Sequence, residues 1–168
     1  MTAIASAIML LDGNVRRGVE FIDRALELDP NHAWAWTLRG FSLVYSGASA
    51  LARSAFSRAM SLSPRDPFAF HTCIGIGLSH FAEQNIPEAL HWVRRALDLR
   101  PGMTWPYRDL AVYLAHAGEQ EQARNALAEF TYLRPTMTLE TIGDGLRFMA
   151  PDLLQRYIEG LRRAGLPE

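Results

Sequence analysis

The sequence has no lysine, a single cysteine and no excess of either charge. All 17 basic residues are arginine and stand against 18 acids, for a formal net charge of −1. A nucleic-acid surface normally carries a basic excess, so nucleic acid is not an expected partner. Cys73, standing alone, excludes an internal disulfide framework and a cysteine-based metal site. Long apolar runs are missing too. The longest, around Ala3 to Leu11, is interrupted by Ser6. It falls short of the ~18 residues of a membrane span and lacks the basic start of a secretion signal. The expectation is a soluble chain with no membrane insertion of its own. It would be cytoplasmic, or periplasmic if a larger parent carries an upstream span. The all-arginine usage fits the codon bias of a GC-rich bacterial genome. Arginine also suits planar, bidentate contacts better than lysine does.

What is present is apolar surface and a period. Of 168 residues, 49% are hydrophobic and 21% charged, which suits a folded domain or short solenoid rather than a disordered chain. Four segments end alike: Ala25 to Pro30, Ala59 to Pro64, Ala96 to Pro101 and Phe130 to Pro135, with prolines 34, 37 and 34 residues apart. Upstream, Ala52, Ala89 and Ala123 keep the 37 and 34 spacing, and Gly13 and Gly47 are 34 apart. Gly118 holds the same place in the last unit; Gln84 and Asn85 stand there in the third.

Each unit reads as helix–turn–helix. The closing proline lacks an amide hydrogen and disfavours helix in the residue before it. The middle glycine suits a tight reversal, and in the third unit Asn85 is the expected substitute. Leu51, Ala52, Ala55, Phe56, Ala59 and Met60 form one stripe at helical spacing, as do Ala89, Leu90, Val93, Ala96 and Leu97. No stretch alternates as a strand would. The three extra residues fall near Pro64-Arg-Asp-Pro67, where Asp66 as N-cap and Pro67 as first helical residue predict a helix beginning about one turn early.

A 34-residue helical hairpin resembles the tetratricopeptide repeat, and the residues follow that pattern. Trp36, Gly40 and Leu43, then Ala52, Phe56, Ala59 and Pro64, match in the second unit. Cys73, Ile76, Gly77 and His80, then Ala89, Val93, Ala96 and Pro101, match more loosely in the third. Tyr107, Leu110, Ala111 and Leu114, then Ala123, Leu127, Phe130 and Pro135, match in the fourth. Arg39 departs from the family's leucine. The resemblance implies an all-α solenoid, a right-handed superhelix of helix–turn–helix repeats. About four repeats cover 1–135: an incomplete first at 1–30, then 31–64, 65–101 and 102–135. Residues 136–168 form C-terminal capping helices.

At the start, residues 2–11 hold only the latter part of a first helix before Asp12-Gly13, as in a piece of a longer chain. At the end, Leu139, Ile142, Leu146 and Met149 share a side. Pro151 opens a helix with the stripe Leu153, Leu154, Tyr157, Ile158 and Leu161, closed by Gly165 and Pro167. The closing residues 157–168, with Asn31 to Trp36 and Ser63 to Phe68, resemble the C-terminal repeat region of certain proteobacterial proteins. In these proteins the repeats follow a class III adenylate/guanylate cyclase domain or a winged-helix DNA-binding domain. That resemblance implies the regulatory or oligomerising part of a signalling protein, or else a ligand- or peptide-sensing domain.

No catalytic grouping is read, and no cofactor or metal is expected. The histidines form no His-Glu-x-x-His motif. Cys73 could be a nucleophile beside His71 or His80, or a small core filler; the filler reading is the simpler. Gly75-Ile-Gly77 lacks the rest of a phosphate loop, and close helix packing explains Gly77 better. Arg94-Arg95 and Arg162-Arg163 are flanked by acids and read as solvated helix faces.

In tetratricopeptide proteins the first helix of each repeat lines a concave groove. Offset from the packing positions, that mapping gives Trp34, Thr37, Phe41 and Tyr45, with Val44, in the second repeat. It gives His71, Leu78 and Phe81, with Ile74, in the third, and Trp105, Arg108, Val112 and His116 in the fourth. By the same mapping Trp36 is core and Trp34 groove. The family's chaperone-binding members clamp a terminal carboxylate with lysine and asparagine, residues this groove lacks. An aromatic, apolar groove implies an apolar or amphipathic protein or peptide segment, or self-association. The groove could equally be filled by the chain's own last helix, 151–164.

Overall fold

The computed structural model describes residues 15–132 and 134–168, with side chains from Arg17 onward. The expected abbreviated first helix and the Gly13 turn lie outside the described residues. Those residues form nine helices and no strand: α1 Val15–Leu28, α2 Ala33–Tyr45, α3 Ser49–Leu62, α4 Ala69–Ala82, α5 Ile86–Leu99, α6 Trp105–His116, α7 Gln120–Tyr132, α8 Leu139–Gly145 and α9 Pro151–Ala164. Consecutive helices from α1 to α7 pack on one another, as do α8 and α9, and α2, α4 and α6 also meet as one layer.

The hairpin turns follow the repeat chemistry. Gly47 and Gly118 adopt positive φ of 88° and 81°. In the third repeat the left-handed residue is Gln84, at φ 63°, and not Asn85. Asn85 instead caps α5, its Oδ1 accepting from the Glu88 amide at 3.5 Å. The chain thus accepts a strained Gln84 in exchange for a capped helix one residue later.

The extra residues between the second and third repeats are spent in the turn. Asp66 Oδ1 accepts from the Phe68 amide at 2.8 Å, and α4 starts at Ala69, two residues after Pro67. Relative to α2, and across the 37-residue offset, α4 therefore begins one residue early and not one turn early.

The core is made by small residues admitting large ones. Phe56 of α3 is fully buried, and a Cβ added to Gly40 or to Gly75 would lie 2.4 Å or 2.2 Å from its ring. The ring thus sits between two glycines on α2 and α4. At Gly77 an added Cβ would lie 3.2 Å from the Ala89 carbonyl. Gly75 and Gly77 are both helix-packing residues. Helix α4 is buried at every position from Thr72 to Ser79, because neighbours cover it on all sides. Cys73 is fully buried beside Phe70, Ile74 and Ala96, and burial pushes its thiol pKa up, away from the nucleophilic thiolate.

Two packing expectations need correction. Leu51, placed in the α3 stripe, is exposed, because α3 turns Ala52 and Ala55 inward instead. Trp36 is only half-buried: its indole Nε1 donates to the Pro30 carbonyl at 2.9 Å, which holds the ring at the edge of the turn.

The C-terminal part folds back on the solenoid. Leu139, Ile142, Leu146 and Met149 are all buried, as are Leu153, Tyr157 and Leu161 of α9. Thr138 and Thr141 form a reciprocal capping box on α8. Gly165, at φ 102°, closes α9. The Leu139 amide donates to the Pro167 carbonyl at 2.8 Å, tying the start of this region to its end. Among the described residues, no helix is long and apolar enough to cross a membrane.

Candidate functional site

The layer of α2, α4 and α6 carries the residues of the groove mapping, and the C-terminal region divides that layer in two. Over α6, helix α9 occupies the groove. Gly160 allows this approach: a Cβ there would lie 2.7 Å from Val112 and 3.1 Å from His116. His116 Nε2 meets the Arg156 carbonyl at 2.9 Å. Arg156 Nη1 donates to the Ala82 carbonyl at 2.9 Å, at the C-terminal end of α4.

A buried polar cluster anchors the same helix. The Tyr157 hydroxyl donates to the Asp109 carboxylate, and Arg108 Nε donates to the Tyr157 hydroxyl oxygen at 2.8 Å. Arg108 Nη2 lies 3.6 Å from Asp109. Burial raises the Asp109 pKa, against the pull of Arg108 and the Tyr157 hydrogen bond. Burial alone would lower the Arg108 pKa, but Tyr157 and Asp109 raise it, so the guanidinium stays charged.

The other part of the groove stays open as a pocket of about 560 Å³. Its rings come from equivalent places in successive repeats: Trp34 on α2, His71 on α4 and Trp105 on α6. Trp34 meets His71 edge-on with centroids 5.2 Å apart, and His71 meets Trp105 at 5.7 Å. Burial lowers the His71 pKa, favouring the neutral ring at pH 7, and its buried Nδ1 has no hydrogen-bond partner among the described residues. Phe41 and Tyr45 continue the wall, stacked at 5.8 Å. The roof is the end of α8 and the segment after it: Gly145, Leu146 and Phe148 line the pocket, Phe148 meets Tyr45 at 4.7 Å, and the Ala150 amide donates to the Tyr45 carbonyl at 2.7 Å. Arg108 and Arg134 supply the charge.

Trp34, Phe41, Tyr45, His71, Trp105 and Arg108 are therefore brought together. The other seven residues on the groove mapping are covered within the fold. Thr37 is buried between α2 and α4, its hydroxyl 3.0 Å from that of Thr72. Leu78 and Phe81 belong to the main core, and Val112 is covered by α9. His116 is half-buried under the same helix. Val44 and Ile74 are likewise core residues. On α2 and α4 the cause is packing by neighbouring helices on both sides, and on α6 it is the cover of α9; either leaves a narrower open face than a solenoid helix free on its inner side. Trp34 is half-buried, as Trp36 is, and packs on Ile22 and Leu38 as well as lining the pocket.

The mapping missed Leu38, Arg134, Leu146 and Phe148. Leu38 was hidden by its place beside a packing position. The others come from the returning chain, and nothing in a repeat pattern announces which residues of a cap will roof the groove. Elsewhere Arg162 and Arg163 both pair with Glu159, at 3.1 and 2.9 Å. Among the described residues, no group of three or more His, Cys, Asp or Glu side chains could hold a metal ion.

No family profile matches the chain. Over 85 residues it is 33% identical to the cell division cycle protein 27 homolog of Caenorhabditis elegans; the match takes in 51% of this chain and spans about a tenth, 10%, of that relative's length. Among solved structures it resembles that of MamA, with a TM-score of 0.61 at 17% identity, covering 93% of this chain and 90% of that one. It also resembles YrrB, described as a TPR protein with an unusual peptide-binding site, with a TM-score of 0.56 at 22% identity, covering 95% of this chain and 80% of that one. The type IV pilus biogenesis factor PilW aligns with a TM-score of 0.53 at 16% identity, over 96% of this chain and 90% of that one. With helices alone among the described residues, and these neighbours, the chain has the all-α solenoid fold of tetratricopeptide type.

Proposed function

We propose that this chain is a protein-interaction and assembly module rather than an enzyme, and that it serves as the regulatory or oligomerising region of a larger bacterial signalling protein. One observation carries the binding part of this reading: an aromatic pocket of about 560 Å³ on the concave face, with its rings drawn from three repeats. Pockets of ~300–1,000 Å³ with apolar walls and a few polar groups suit ligand binding. With α9 over α6 and the 145–148 segment as a roof, the open face is too short for a long helix. It suits a short segment that inserts one apolar or aromatic side chain. The description of YrrB as peptide-binding supports a peptide occupant. The link to a signalling parent rests on the resemblance of residues 157–168 and the two repeat starts to cyclase-associated and winged-helix-associated repeat regions.

A displayed library of random short peptides, selected on the folded chain, tests the reading. The expected result is enrichment of sequences with an aromatic or large apolar anchor, lost when Trp34→Gln and Trp105→Gln are combined with helical circular dichroism retained. No enrichment, or enrichment indifferent to these substitutions, would remove the pocket from the function.

A further inference from the structure

We infer that the pocket reads a carboxylate next to the anchor, so that its partner is a short acidic segment carrying an aromatic or large apolar residue. This rests on the peptide-binding reading above and adds the charge of the partner. The pocket is lined by two arginines and by no aspartate or glutamate. Arg134, just past α7, is exposed, and its guanidinium has no partner among the described residues. Arg108 spends Nε on Tyr157 and lies through Nη2 against Asp109, which leaves Nη1 unpartnered among the described residues.

Asp109, buried against Tyr157 and Arg108, offsets part of the Arg108 charge, so Arg134 carries the uncompensated one. Other nearby acids are engaged away from the pocket. Asp144, next to the roof, pairs with Arg147 at 2.9 Å. Asp66 accepts from the Phe68 amide. His71 stays neutral and contributes ring surface, with an unpaired Nδ1 in the pocket wall. A cationic occupant would meet two guanidiniums. A neutral one would gain the rings but leave their N–H donors to water. An anionic one completes both, and guanidinium–carboxylate bonds beside apolar surface are the stronger kind.

The carboxylate concerned belongs to a side chain beside the anchor, so capped peptides test it. Three acetylated and amidated nonapeptides, each with a central tryptophan flanked by two glutamates, two glutamines or two lysines, would be titrated by fluorescence anisotropy. The glutamate peptide is expected to bind about 10-fold tighter than the glutamine peptide, with the lysine peptide weakest. Raising salt from 50 to 500 mM should narrow the gap. Arg134→Gln, a surface change that breaks no side-chain hydrogen bond or ion pair among the described residues, should remove most of the glutamate preference and lower glutamate-peptide affinity far more than glutamine-peptide affinity.

Equal binding of glutamate and glutamine peptides would overturn the charge inference while the aromatic-anchor reading stands. Absence of binding by all three to the folded chain would overturn both. If N-acetyltryptophan matched the glutamate peptide, the occupant would be a small aromatic acid and the peptide assignment would fall.

Discussion

Phe56 shows how single residues fix this fold. Its ring is held between Gly40 and Gly75, so helices α2 and α4 approach as closely as an aromatic thickness allows. Replacing either glycine with alanine gains ~1 kcal/mol of helix propensity, but overpacking a full core costs ~1–3 kcal/mol. With one glycine replaced, the ring can shift toward the other; with both replaced it cannot shift either way. Gly40→Ala and Gly75→Ala should each lower stability modestly, and the double substitution should cost more than their sum. Urea unfolding of the four proteins measures this, and strict additivity would mean that the ring does not mediate the contact. The repeat pattern pointed to Gly40 and Phe56 as packing residues. It did not reveal Gly75, because a glycine outside the motif gains meaning only when its neighbour in space is known. The same limit explains Thr37, which reads as a groove residue by helical offset yet lies against Thr72 thirty-five residues on.

Among the elements, α9 carries the most consequence. Its apolar stripe and its glycine stop were legible in the sequence, and the helix runs as they imply. The groove was one of the docking places the sequence left open for it, but which part of the groove it covers was not legible. Gly160 looks like a flaw in a helix until Val112 and His116 are found against it. No motif singles out Asp109 either, yet it is buried under Tyr157 and Arg108. Tyr157→Phe keeps the ring and removes the donor, leaving the buried carboxylate short of one hydrogen bond. Leaving such a group unsatisfied costs ~1–3 kcal/mol, and more when it is charged. The variant should unfold at lower denaturant, and amides of α9 should exchange faster. If Asp109→Asn is added, the charged group is gone and part of the loss should return. A Tyr157→Phe protein as stable as the parent would show that the apolar stripe alone seats the helix.

For the whole molecule, the order of the repeats predicts an uneven distribution of stability. Stacked repeats lean on nearest neighbours, so each helix is as secure as the helices beside it. The main core runs without a break from α2 through α9, and α4 and α6 lie inside it, covered by their own hairpin partners and by elements from adjoining repeats. Helix α1 joins through a separate, smaller cluster in which Ile22 and Leu38 are buried, with Phe21, Leu26 and Trp34 partly so. Its one ion pair to α2 among the described residues, Asp23 with Arg39 at 3.3 Å, lies on a partly solvated surface where such pairs contribute ~0–1 kcal/mol. Local opening should therefore begin at α1 and reach α4 and α6 only with global unfolding. Native-state hydrogen exchange in low denaturant would read this directly. Amides of Ile22 and Ala25 should exchange through a low-energy opening, while those of Ile76 and Ala111 should follow the global transition. Trp34 lies both in the α1 cluster and in the pocket wall, so ligand in the pocket should slow exchange in α1 as well. Protection of α1 equal to that of α4 in the free chain would mean that the repeats form one cooperative unit and that the pocket is framed rigidly on both sides.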